Sequence, residues 1–177
     1  MTENDMFRDF SVFSDFSPET LSEIAKLAVV LTFESGETIF QEGENARDLY
    51  GILDGEVELS TRFNQQVLKT DIQYEESIQT RIETIEKNIV VDAVGPGEIL
   101  GWSSLIKPRL LTSTATCTVP TRAFCMSADD LKLIFDRNPQ VGYGFMVRLS
   151  EIISQRLRTR TDKLIESWNE AFDLDRI

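Results

Sequence analysis

The 177-residue sequence contains no histidine at all. That removes the commonest ligand of zinc, iron and copper sites. It also removes the base of every Ser/His/Asp or Cys/His/Asp nucleophile arrangement. No run of Asp and Glu has the spacing of a carboxylate-only metal site, so neither an enzyme nor a metal or cofactor is expected. Cysteine is nearly absent too. Cys117 and Cys125 are the only two, and they form no spaced framework, which points to a reduced, cytoplasmic protein. They are expected on adjacent strands as inert core thiols, with a redox pair as the alternative. No apolar run approaches the roughly 18–20 residues of a membrane span, and no signal-peptide pattern precedes Phe7. Positive charge is scarce: 18 Lys and Arg stand against 30 Asp and Glu, a net of −12. Such a balance argues against a surface built for nucleic acid. The deficit is concentrated in residues 1–62, with fourteen acids against four bases. This is either a solvated acidic surface or a docking face. In both cases an anionic ligand needs local cations.

The residues that are present read as one globular core, with 41% hydrophobic content. Ser17-Pro18-Glu19 is a helix start, with Ser17 as N-cap and Pro18 in the first helical position. Leu21, Ile24, Ala25, Leu27 and Ala28 supply its apolar face. Strands are predicted over most of 29–62 and 89–126, where β-branched and aromatic residues alternate between glycine turns. Asp54-Gly55 is the clearest hairpin turn. Ser127-Ala128-Asp129-Asp130 resembles a capping box with Asp in place of Glu or Gln, opening a helix to about Arg137 that ends before Asn138-Pro139. Residues 63–88 fit two patterns. Ile78, Ile82 and Ile85 make a helical face, while Thr80-Arg81-Ile82 continues a long hairpin. The hairpin or flap is preferred, as a tolerated surface insertion or a partner-docking element.

Gly95 to Thr116, G-P-G-E-I-L-G-W-S-S-L-I-K-P-R-L-L-T-S-T-A-T, resembles the phosphate-binding cassette of cyclic-nucleotide-binding domains. Phe33 to Glu44 (F-E-S-G-E-T-I-F-Q-E-G-E) and Leu49 to Leu59 (L-Y-G-I-L-D-G-E-V-E-L) are similar to the same family's strands. The match extends over roughly Phe33 to Lys163 outside the insertion. The resemblance implies a mainly β double-stranded β-helix (jelly-roll) barrel with flanking helices, occupying residues 1–138, and a long C-terminal helix over 139–177. It also implies a cyclic nucleotide, cAMP or cGMP, as ligand. The expected site comprises Gly97, Glu98, Ile99, Leu100, Arg109, Ser113 and Thr114. A first helical turn near Glu98-Ile99-Leu100 would offer N–H groups to phosphate, Glu98 would accept from a ribose hydroxyl, and Arg109 would pair with the phosphate. The family pattern runs G-E-[LI], seven to nine residues, then R-[ST]-A. Arg109 is instead followed by Leu110 and Leu111, and alignment on Ser113-Thr114-Ala115 places Ser113 at the arginine position. Lys107 is the other cation of the segment. Trp102 would stack on a purine or fill the pocket.

From Pro139 onward the apolar residues Phe145, Leu149, Ile152, Ile153, Leu157, Leu164, Trp168 and Phe172 recur at three- and four-residue steps. A helix of about 30 residues is more than one small β-domain covers, and the resembled family places its dimer helix there. Residues 139–177 carry six bases and six acids, which lowers repulsion between two copies. A parallel homodimer through residues 139–172 is expected. Transcriptional members of the family add a helix-turn-helix after this helix, whereas this sequence stops at Ile177. The expectation is therefore a free-standing sensor that acts on an unknown output protein, with no direct contact to nucleic acid or membrane. The alternative is a degenerate domain acting through protein contacts or binding another small ligand.

Overall fold

The structure is a computed structural model describing residues 6–74 and 77–173. A 3-10 turn at Ser11–Phe13 and helix α1 (Pro18–Ala25) precede eight strands. These are β1 (Val29–Phe33), β2 (Thr38–Phe40), β3 (Asp48–Asp54), β4 (Val57–Tyr74), β5 (Ser77–Val94), β6 (Ile99–Leu100), β7 (Thr114–Cys117) and β8 (Thr121–Ser127). Helices α2 (Ala128–Arg137) and α3 (Pro139–Asp173) follow.

The strands form two four-stranded sheets, ordered β1-β8-β3-β6 and β2-β7-β4-β5, and every pairing is antiparallel. This is the jelly roll expected from the sequence, but its sheets do not close into a barrel. Ile52, Val57, Leu59, Val94, Leu100, Ala115 and Ala123 fill the space between them. The first sheet is covered on its other face as well. There Phe124 and Met126 of β8 alternate with inward-facing Ala123 and meet Phe7, Phe10, Phe13, Leu131, Phe145 and Leu149. The approach is so close that a Cβ on Gly51 would lie 2.2 Å from two carbons of the Phe124 ring.

The cysteines are a correction. The chain crosses between sheets after β7, so Cys117 on β7 and Cys125 on β8 lie in different sheets rather than on adjacent strands. Both thiols are free, and burial pushes both above the ordinary thiol pKa. A raised pKa lowers the thiolate fraction that redox chemistry needs.

Both predicted caps are present. The Ser17 hydroxyl accepts from the Thr20 N–H and the Ser127 hydroxyl from the Asp130 N–H, each at 3.3 Å. Ser127→Ala is expected to lower stability by about 1 kcal/mol, the usual cost of an N-cap. Urea unfolding checks this; an unchanged midpoint would mean that the cap adds nothing.

Residues 63–74 and 77–88 belong to the paired strands β4 and β5, in register from Val57↔Val94 to Tyr74↔Ser77; the rest of the 63–88 insertion lies outside the described residues. Only Val57 to Ser60 of β4 also pair with β7. The register shifts between Leu59 and Ser60, leaving Val91 as an extra residue where the ribbon leaves the sheet. Among the described residues no helix is long and apolar enough to cross a membrane.

Candidate functional site

The cassette is built differently from its sequence reading at its first turn. Gly95 to Glu98 is a tight turn, with the Glu98 N–H donating to the Gly95 carbonyl at 3.2 Å. The Glu98 carboxylate accepts from the Gly95 N–H at 2.8 Å. The Gly97 N–H donates to the Ile52 carbonyl, and the Ile52 N–H returns to Glu98, both at 2.9 Å. Ile99 and Leu100 then form β6 against Tyr50 and Gly51 instead of a helical turn. Their burial explains this. Each is 1% exposed, Ile99 in the outer cluster and Leu100 between the sheets. Adjacent residues reach opposite faces only in extended backbone. The 3-10 turn opens four residues later, at Trp102–Leu105. Gly101 precedes it with φ of 78°, and a Cβ there would lie 2.7 Å from the Asp48 carbonyl oxygen.

From Ile106 the chain loops back to the sheets. The Arg109 N–H donates to Ile106, and the Ala46 N–H donates to the Arg109 carbonyl. Leu111 exchanges hydrogen bonds with Gly43 and Glu44 and buries its side chain. This tethering, with Arg109 in the left-handed region at φ 61°, sends the Arg109 side chain to α2. There Nη2 pairs with Asp129 Oδ1 at 2.7 Å, holding the Asp129 carboxyl below its ordinary pKa. Ser113 is buried at 7% exposure. The Thr114 hydroxyl accepts from the Glu42 N–H at 3.0 Å.

One cavity brings part of the expected set together. Leu100 and Ser113 line it with Gly101, Trp102, Ser103 and Thr112, and Arg160 of α3 reaches it. Gly97, Glu98 and Ile99 line a neighbouring cavity with Ile152, Gln155 and Arg156. Arg109 and Thr114 line neither. The first cavity leaves about 40 Å³ for water-sized occupants, far below the roughly 300 Å³ of a small-molecule site.

Sequence reading missed Arg156 and Arg160, although a signal existed. The inward stripe of α3 runs through Phe145, Leu149 and Ile152/Ile153, and its next steps fall on Arg156 and then Arg160. An arginine at a core-stripe position is a buried cation unless the helix has left the domain. Arg156 is 9% exposed. Its Cζ lies 4.6 Å from the centre of the Trp102 ring. Its Nη2 donates to the Ile99 carbonyl at 3.0 Å and reaches Glu98 Oε1 at 3.4 Å. Desolvation pushes the Arg156 pKa down, while Glu98 and Asp92 oppose that shift. Arg160 Nη2 lies 3.4 Å from Asp92 Oδ2.

Comparison with known proteins supports the fold and gives its setting. No family model matches the sequence. A CRP-like cAMP-activated global transcriptional regulator of Mycobacterium tuberculosis is 24% identical over 155 residues, 88% of this chain and 58% of the regulator. The chain thus spans less than two thirds of that relative's length. A solved protein of Geobacter metallireducens GS-15, assigned to cyclic nucleotide binding, superposes with a TM-score of 0.67 at 27% identity. It covers 89% of this chain and 99% of its own. A cyclic nucleotide-binding domain of Methylobacillus flagellatus KT gives a TM-score of 0.69 at 23% identity, over 93% and 85% of the two chains.

Proposed function

For a chain with the fold of the cyclic nucleotide-binding domains, we propose a regulatory sensor that takes cAMP or cGMP in the cavity between the Trp102 turn and α3. The observation that carries this reading is that the cassette turn and the long helix wall the same cavity, through Trp102, Ser113 and Arg160. Thr112 and Ser113 offer hydroxyls to the ligand. Glu98 and Thr114 stand outside this cavity and act on backbone, accepting from the Gly95 and Glu42 N–H groups. Because the space is too small for a nucleotide, entry requires Trp102 or α3 to move. The ligand therefore favours a displaced α3 over the seated one, and that differential affinity drives the response.

The response reaches a second copy through α3. Val147, Ser150, Ser154, Leu157, Thr161, Leu164 and Trp168 alternate in steps of three and four, a heptad seam. Leu157, Leu164 and Trp168 are 65%, 57% and 62% exposed. Wild-type protein at micromolar concentration is expected to sediment as a dimer, and a Leu157→Glu/Leu164→Glu variant as a 20.2 kDa monomer. A monomeric wild type would overturn the dimer.

Calorimetric titration with cAMP and cGMP, with tryptophan fluorescence in parallel, tests the ligand. Saturable binding at roughly micromolar affinity, with a change in emission from Trp102 against Arg156, is the expected result. A flat titration at millimolar nucleotide would instead favour a domain that has kept the fold and acts through protein contacts. The narrow cavity and the engagement of Arg109 by Asp129 speak for that second reading.

A further inference from the structure

We propose that the anionic group of the ligand is bound by two guanidinium groups of helix α3, Arg160 with Arg156 one turn before it, in place of a cassette arginine. The proposal deepens the sensor reading above and rests on the same cavity. Its ligand class is a phosphate-bearing small molecule.

The first argument is unmet hydrogen bonding. Among the described residues only two buried side-chain nitrogen or oxygen atoms have no partner, Arg156 Nη1 and Arg160 Nε. Buried donors are nearly always paired, because an unpaired one forfeits its hydration with no return. Here both orphans belong to cations at i and i+4 on one helix face. They also occur where the fold's ligand is expected. A phosphate with several acceptor oxygens is the kind of group that satisfies such donors.

Arg156 Nη2 is held by the Ile99 carbonyl at 3.0 Å, but the ionic contacts of both arginines are long. The Arg156–Glu98 and Arg160–Asp92 contacts are both 3.4 Å, against about 2.7–2.9 Å for a tight charge-assisted bond. The carboxylates have other work as well. Glu98 Oε2 accepts from the Gly95 N–H at 2.8 Å and Asp92 Oδ1 from the Ala93 N–H at 3.0 Å. An incoming anion can therefore draw the guanidinium groups without stranding either acid. Arg156 also packs on Trp102, which lines the cavity. A shift of that indole to admit a ligand uncovers Arg156 to the same space.

No cassette cation lines either cavity: Lys107 is exposed and outside both. Arg109 is anchored to Asp129, and Ser113 is neutral. On a chain with net charge −12, the anion depends on Arg160, the one guanidinium lining the cavity among the described residues.

The test compares wild type, Arg160→Gln, Arg160→Lys, Arg156→Gln, Arg109→Ala and Arg137→Gln, the last a charge-matched change at an exposed α2 pair with Glu23. Each is titrated with cAMP and cGMP, and each is melted with and without millimolar inorganic phosphate. Arg160→Gln is expected to weaken nucleotide binding at least about tenfold, with partial recovery in Arg160→Lys. Arg156→Gln is also expected to weaken it, and Arg137→Gln to leave it within about twofold. Far-UV circular dichroism confirms that each variant is folded. If Arg109→Ala abolishes binding while Arg160→Gln and Arg156→Gln bind as wild type, the proposal is overturned and the sensor reading stands. If no nucleotide binds but phosphate raises the wild-type melting temperature and not that of Arg160→Gln, the anion site stands and the nucleotide reading falls. If no probe binds and phosphate shifts no melt, the proposal is overturned.

Discussion

Phe124→Ala is expected to lower the stability of the domain by about 3–5 kcal/mol, the range for a fully buried phenylalanine. Phe124 is 0% exposed and lies edge-on to Phe7 and Phe10 at centroid distances of 5.2 and 4.9 Å. It covers Gly51, where no other side chain can follow it into the gap. The damage would also spread, because Phe13 touches both Phe124 and Phe145 at 6.3 and 5.7 Å and so joins the first sheet to α3. A natural domain has about 5–15 kcal/mol in total. The variant should therefore be marginal, with a melting temperature lower by on the order of 10 °C. Urea unfolding with an unchanged slope is the measurement. A loss under about 1 kcal/mol would mean that the aromatic cluster is not packed as described.

Gly101→Val should be nearly as severe, for a different reason. A β-branched residue at φ 78° faces both the left-handed backbone penalty and a Cβ 2.7 Å from the Asp48 carbonyl oxygen, which is backbone and cannot swing aside. The expected loss is about 3 kcal/mol, and the nucleotide binding proposed above should go with it because the Trp102 turn begins there. Gly95→Ala makes the comparison informative. Its Cβ would meet only the Glu98 carboxylate, at 4.0 Å, and its φ is not positive. That variant should stay within about 0.5 kcal/mol of wild type. Equal stabilities for the two variants would refute the geometry assigned to Gly101.

What the sequence made legible was set by local chemistry. Ser17 and Ser127 were readable as caps because a hydroxyl at a helix start answers only to the next few N–H groups. The β character of residues 63–88 could be preferred because cross-strand pairing tolerates the polar residues interspersed there. The errors occurred where distant residues decide the outcome. The Gly97-Glu98 pair looked like a turn opener, yet the burial of Ile99 and Leu100 on opposite faces of the first sheet moved that turn to Gly101-Trp102. Cys117 and Cys125 lie close in sequence, but the chain crosses between sheets after β7. Arg156 and Arg160 read as part of a neutral dimer helix, because a helical repeat does not reveal which face meets a cleft beneath it.

The β4–β5 ribbon carries a different implication, one of modularity. Beyond Ser60 no third strand pairs with it among the described residues; Thr61 and Arg62 still bond to Thr112 and Glu42, and the backbone ladder farther out runs between β4 and β5 alone. The core between the sheets contains Val57 and Leu59 from β4 and Val94 from β5. Nothing in that core senses how far the ribbon extends. The ribbon is therefore an adjustable spacer whose length can drift through paired insertions or deletions, one residue from each strand, at about 3.4 Å per step. Every core residue keeps its register while the tip is carried nearer to or farther from the body of the domain.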